Sequence, residues 1–307
     1  MLQLIGETNI PFMKFRRIAY AVSGLLILAT IGWLVVNQGP RMSVDFAGGT
    51  LLEIRPSQAL PVDAVRTTLQ GSGFERAEIQ QIGTEGDLLI RFPTQEREDA
   101  FSLIQTALQA RFSGTTVELL REETVGPKVG SELAQKAIWA ILFALGGILV
   151  YVGFRYEFRF AMGAVIALLY DVFVVFGLVC FLNREMSLTV VAALLTLAGY
   201  SINDTIVVFD RIRERMRGIR KESHERIFDI AVNETLSRTL VTSISVLFVA
   251  IALYLFGGAV LNDFALVMVM GILFGTYSSI YVAAALALDI WNLTERGRKE
   301  SSKARAA

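Results

Sequence analysis

The sequence predicts an integral membrane α-helical bundle of six transmembrane helices, carrying one small extracytoplasmic α+β domain of the ferredoxin-like type. Three observations predict it. Of the 307 residues 53% are hydrophobic and the mean hydropathy is +0.52, above the roughly 45–50% apolar content of an ordinary soluble domain. Six stretches are long and apolar enough to cross a bilayer core, which takes about 20 residues of helix because spanning backbone must satisfy its own hydrogen bonds. Between the first two of them the pattern breaks into short alternating runs, as a water-facing domain requires.

The predicted spans are 18–36, 133–153, 160–182, 188–209, 238–257 and 264–290, the last long enough to tilt or to project beyond the membrane. Lysine and arginine stay on the cytoplasmic side of short loops. Three flank the first span (Lys14, Arg16, Arg17), two join spans two and three (Arg155, Arg159), seven lie between spans four and five, and five are in the tail. The opposite short loops hold only Arg184. Both termini are therefore predicted cytoplasmic and the protein multi-pass. The first span reads as a retained anchor, because Val35-Val36-Asn37-Gln38-Gly39-Pro40 after it lacks a small-x-small cleavage pattern. The predicted organisation is an N-terminus and first span (1–36), an external domain (37–132), a bundle of five spans (133–290) with a cytoplasmic helical loop (210–237), and a cytoplasmic tail (291–307).

Within the external domain, 50–54 reads as a strand and 62–70 as a helix with Val62, Val65 and Leu69 on one face. Segments 77–82 and 88–92 read as a hairpin around Thr84-Glu85-Gly86, followed by a helix at 99–112 and a strand at 116–120. The order βαββαβ is that of a ferredoxin-like split sandwich, a fold that specifies no activity by itself.

Several chemistries are excluded. Formal net charge is zero, so overall charge points to no nucleic-acid partner. The single cysteine, Cys180, lies in an apolar run and makes no internal disulfide; the single histidine, His224, lies in a charged segment. A His or Cys metal cluster and a Ser-His-Asp or Cys-His site are thereby ruled out. No GxxxxGK[ST] loop is present, so bound nucleotide is not the energy source. The chain is read as a non-enzyme without cofactors.

Ionisable residues inside spans cost about 2.5–3.5 kcal/mol each at a helix centre and are functional candidates by default. Asp171 lies near the middle of span three, Asp204 in the cytoplasmic half of span four, and Arg238 at the start of span five. Tyr200, Asn203 and Asp204 share one helical face, with Gly199, Ser201 and Thr205 beside them, which predicts a polar stripe facing other helices. Arg238, Thr242 and Ser245 follow i, i+4, i+7 spacing. Antiparallel packing of spans four and five would put Asp204 and Arg238 at one depth as a switchable ion pair. Gly271 and Gly275, with Ser278 and Ser279 after them, read as a close helix contact. Asp210, Arg211, Arg213, Glu214 and Arg215 read as an interfacial cap.

The stretch Gly199-Tyr200-Ser201-Ile202-Asn203-Asp204-Thr205-Ile206-Val207-Val208-Phe209-Asp210-Arg211-Ile212-Arg213-Glu214 resembles the signature of the SecF family of bacterial protein-export subunits. Val44-Asp45-Phe46-Ala47-Gly48-Gly49-Thr50, Asn233-Glu234-Thr235-Leu236-Ser237-Arg238-Thr239 and Gly275-Thr276-Tyr277-Ser278-Ser279-Ile280 are similar to the same family, so the resemblance covers nearly the whole chain. It implies a SecD partner in a pseudo-symmetric pair of the resistance-nodulation-division type, the SecYEG channel with unfolded preprotein as substrate, and the bacterial inner membrane. It also implies proton-gradient-driven export, with Asp204 as the proton-binding carboxylate and Arg238 as its charge partner. Tyr170 stands before Asp171 where the resemblance implies histidine, so no proton role of that histidine is carried over, while Asp171 itself stays a proton-coupling candidate beside Asp204 and Arg238. Two readings compete: a scaffold that stabilises SecD without transport, and an exporter of small molecules or lipids from the same superfamily. An intramembrane aspartyl protease is disfavoured, because Ser201-Ile202-Asn203-Asp204 lacks the GxGD turn such enzymes use.

Overall fold

The computed structural model describes residues 8–75, 77–82, 86–92, 99–218 and 222–306, without the side chains of 259–260 and 296–306. These residues form two units, Met42–Trp139 and the remainder. Thr84 and Glu85, expected in a hairpin turn, fall outside the described residues.

In the smaller unit a short helix α2 (Val44–Ala47) leads into β1 (Gly49–Pro56), α3 (Val62–Gln70), β2 (Glu78–Ile82), β3 (Asp87–Phe92), α4 (Ala100–Arg111) and β4 (Val117–Val125). The sheet order is β2-β3-β1-β4 with every neighbouring pair antiparallel, which is the ferredoxin-like arrangement. Leu52 and Ile54 of β1, Val65 and Leu69 of α3, and Ile104 and Leu108 of α4 are fully buried between sheet and helices. β1 and β3 are further tied by Arg55, whose Nε and Nη2 each donate to Asp87 at 2.8 Å. β4 extends well past the predicted 116–120, because Glu122 and Glu123, polar enough to suggest a loop, pair with Leu52 and Leu51 of β1.

Six helices are long and apolar enough to span a membrane. They comprise α1 (Arg16–Val36), α5 (Pro127–Arg155), α6 (Phe158–Phe181), α7 (Leu188–Gly218), α8 (His224–Phe256), and α9 (Gly258–Ser278), the last continued through a π-helical turn (Ser279–Ala283) into α10 (Ala284–Ala306). The α6, α7 and α9–α10 spans bury more than half of their apolar windows, whereas α1, α5 and α8 bury under a fifth. Three helices thus form the interior. Small residues permit their approach: a Cβ on Gly271 would lie 2.5 Å from Leu197 Cδ1, and one on Gly275 3.4 Å from Ser201 Cβ, so α9 lies directly on α7. Gly163 of α6 meets the π-helical turn in the same way, with a built Cβ 3.1 Å from Ala283 O.

The chain before α1 is clipped to the ends of α8 and α10. Asn233 accepts from Ile10 N–H and donates to Ile10 O, both at 2.9 Å, and Asp229 accepts from Met13 N–H at 2.8 Å. Arg16 pairs with Glu225 at 2.9 Å and Asp289 at 3.3 Å, and Tyr20 donates to Asp289 at 2.9 Å.

Candidate functional site

Among the described residues the bundle buries three carboxylates: Asp229 of α8, which holds Met13 N–H, and two that lie within the apolar spans. Asp171, on α6, is 0% exposed, and its Oδ2 accepts hydrogen bonds from Ser201 of α7 and from Ser278 of α9, the latter at 2.6 Å. Its Oδ1 is buried without a partner. Asp204, on α7, is 4% exposed; its Oδ2 lies 3.4 Å from Ser243 Oγ of α8. Ser243 also accepts from Tyr200 OH at 3.1 Å and contacts Thr276 Oγ1 of α9 at 2.8 Å. Each of these two is therefore held by hydroxyls from neighbouring helices.

No contact within 4.0 Å joins Asp204 to Arg238 in this structure, so the switchable ion pair that antiparallel packing would allow is not closed here. The reason is rotational. Ser243 follows Arg238 by five residues, about 140° around a helix advancing 100° per residue, so the turn of α8 that faces Asp204 points Arg238 elsewhere. Arg238, Thr242 and Ser245 do share a face, and it is exposed. The stripe on α7 divides likewise: Asp204, Ser201 and Thr205 are buried, Tyr200 is half-buried, and Asn203 is exposed with Thr196 and Gly199. Asn203 thus faces away from the other helices of this chain, against expectation.

At the polar end of α7 the charged cap is assembled by pairing. Arg155 reaches Asp210 at 3.2 Å, and Tyr156 OH donates to the same carboxylate at 3.0 Å. Burial, and then that bond, push the Tyr156 hydroxyl above its ordinary value. Arg211 and Arg215 both bind Glu234 of α8, at 2.7 and 2.8 Å from their Nε atoms. Among the described residues no three His, Cys, Asp or Glu side chains gather as a metal site needs.

Residues 105–293 match the family described as protein export membrane protein SecD/SecF, C-terminal, and residues 33–59 match the SecD/SecF GG motif. Over 292 residues the chain is 42% identical to the protein translocase subunit SecF of Thermodesulfovibrio yellowstonii, covering 94% of this chain and 97% of that one. The chain belongs to the SecF family. Its similarity to SecF of Escherichia coli O157:H7 is 43% over 288 residues, 93% of this chain and 89% of that one. The SecF fold extends to a crystal structure of SecDF, a translocon-associated membrane protein, from Thermus thermophilus. That likeness has a TM-score of 0.85 at 38% identity and covers 93% of this chain but 39% of the longer SecDF chain.

The matched GG motif has a physical basis here. Gly48 and Gly49 adopt φ of +74° and +134°, and a Cβ at Gly48 would lie 2.9 Å from Pro127 Cα, one at Gly49 2.9 Å from Phe92 O. Only glycine combines that backbone with that approach. In the sequence these glycines carry no visible role, nor are Ser278 and Ser243 legible as partners of Asp171 and Asp204, or Thr276 as the partner of Ser243. The signal was the Gly271–Gly275 spacing: a helix packed directly on α7 brings its own hydroxyls beside Ser201 and Asp204.

Proposed function

We propose that this chain works as the SecF-type subunit of a Sec preprotein translocase in the bacterial inner membrane, paired with SecD and using the proton gradient to promote late steps of export through SecYEG. Membership of the SecF family and likeness to a translocon-associated SecDF support the export role and the SecD partner. The observation that carries the gradient-coupled part is Asp204: a carboxylate 4% exposed that faces a serine hydroxyl and has no cation within ion-pair distance among the described residues.

A charge buried without a close counterion is unstable, so Asp204 favours taking a proton when Arg238 is turned away. It favours losing that proton when Arg238 approaches. One charge moving through 100 mV is worth about 2.3 kcal/mol, and a shift of a few kcal/mol exchanges the populations of two helix packings. The exposed polar rows, Thr196, Gly199 and Asn203 on α7 and Arg238, Thr242 and Ser245 on α8, are costly against lipid and suit a partner's helices. With both termini cytoplasmic, the ferredoxin-like domain lies outside, where it meets emerging preprotein. In this reading the chain is not an enzyme and carries no cofactor; its energy source is the gradient itself.

The test is preprotein export into inverted membrane vesicles containing this chain and its SecD-type partner, with and without a proton gradient, comparing the native chain with Asp204→Asn and Arg238→Ala. Both variants are expected to assemble yet to lose the gradient-dependent part of export. Assembly with native export would make the pair structural and favour the scaffold reading.

A further inference from the structure

The roles proposed for Asp204 and Arg238 leave Asp171 without a task, although it is the more deeply enclosed carboxylate. It is 0% exposed, and both of its donors, Ser201 and Ser278, bind the same oxygen, Oδ2. Oδ1 is buried with no partner. No lysine, arginine or histidine among the described residues forms an ion pair with it within 4.0 Å. The titratable groups around it are neutral phenols: Tyr170 on α6, and Tyr277 on α9, which influences Tyr170. α1 contributes the hydroxyl of Ser23 on the same side, and the π-helical turn is apolar apart from Ser279 and Tyr281.

A carboxylate anion sealed in such a place would carry an uncompensated charge, a penalty of several kcal/mol that two neutral hydroxyls do not offset. Both hydroxyls are nevertheless spent on one oxygen. That arrangement leaves the second oxygen as the place for a proton, with Oδ2 keeping its acceptor role in either state.

The two carboxylates also share their supports. α7 supplies Ser201 to one and is the helix that bears the other, three residues on. α9 supplies Ser278 to Asp171 and Thr276, through Ser243, to Asp204. Immediately after Ser278 the helix changes to its π-helical turn, a local widening of the ladder that recurs at functional sites. A small rotation of α9 against α7 changes both hydrogen-bond sets at once.

We infer that Asp171, seated by Ser201 and Ser278, is a second proton-binding carboxylate of the bundle, coupled to Asp204 through α9. Loading forms one O–H bond at Oδ1 with a proton drawn from water, and release returns that proton to water; no other reactant takes part. Ser201 and Ser278 are positioning residues. This inference deepens the gradient-coupled reading and rests on it for its use in export, but not for its own detection.

The experiment is infrared difference spectroscopy of the full chain with its SecD-type partner in lipid, between acid and alkaline buffer, following the carboxylic-acid C=O stretch. The native complex is expected to show a titrating acid band that disappears in Asp171→Asn and persists in Asp204→Asn with its midpoint moved. In Ser278→Ala the band is expected to shift in frequency while the complex stays assembled, which separates positioning from collapse of the fold. The inference is overturned if Asp171→Asn leaves every acid band in place, or if the Asp171 band is present but does not titrate. Should the band behave as expected while export proves independent of the gradient, the site stands and the export reading alone fails.

Discussion

Arg55 and Asp87 set how the small domain responds to acid, with Glu53 acting in the opposite sense. The paired Arg55 hydrogen bonds hold the Asp87 carboxyl below its ordinary 3.8, whereas burial pushes Glu53 above its ordinary 4.5. For Asp87 the contribution to stability is fully present above 3.8 and is lost as pH falls through its lower folded value. For Glu53 the sign reverses: the buried anion is a cost above its raised folded value, relieved as pH falls toward 4.5. Thermal melts of the purified chain should therefore rise slightly on approaching pH 4.5 from above and fall below pH 3.8. Arg55→Ala should remove most of the fall, and Glu53→Gln should raise the melt at neutral pH and flatten the rise. A melt in Glu53→Gln that keeps the native pH profile would contradict this assignment. At this scale the sequence was legible where a charge interrupts an apolar run, as at Asp171 and Asp204. Partners such as Ser243 were not legible, because which face of α8 meets α7 depends on helix rotation, and the same rotation sets Arg238 off that face.

Among the elements, α9 on α7 is the contact on which the site depends, since it brings Thr276 and Ser278 to the two carboxylates. Gly271→Val places a branched side chain where even a Cβ would be 2.5 Å from Leu197 Cδ1. Overpacking of this kind costs about 1–3 kcal/mol, and a lowered melting midpoint in detergent is expected. Leu197→Ala added to it should recover much of the loss, because it empties the space the valine needs; a double variant no better than the single one would place the clash elsewhere. The glycine spacing announced this contact. α7 and α8 continue beyond their apolar stretches as charged helix through most of the segment read as a helical loop, held together by Arg211, Arg215 and Glu234; hydropathy alone marks where lipid stops and not where backbone hydrogen bonding stops. The π-helical turn leaves no mark in side-chain pattern at all.

In the whole molecule, the division into three inner and three outer helices decides which surfaces remain for a partner. α5 is apolar and exposed along its length, with Phe143 at 75% and Phe154 at 91%, a surface suited to lipid. α7 and α8 instead expose Asn203 and Thr242. In a Cys180→Ala background, Asn203→Cys and Thr242→Cys are expected to cross-link to a co-expressed SecD-type chain, and Phe143→Cys is not. The converse pattern would move the partner to α5 and undo the pairing argued from the polar rows. The count of spans and the βαββαβ order were legible because both follow from local period and composition. The inner and outer roles were not legible, because the outer helix α5 is as rich in glycine and alanine as the inner helices α6 and α9.

The clip before α1 has a consequence for how the protein is made. Ile10, Met13 and Tyr20 find their hydrogen-bond partners 223, 216 and 269 residues later in the chain. At a synthesis rate of about 5–20 residues per second, these residues are made on the order of 10 to 50 seconds before their partners. During that interval Arg16 lacks Glu225 and Asp289, and Tyr20 lacks Asp289. The bundle becomes a closed object only when the final helix, carrying Asp289, is in place, so birth order runs opposite to the order in which the structure is locked.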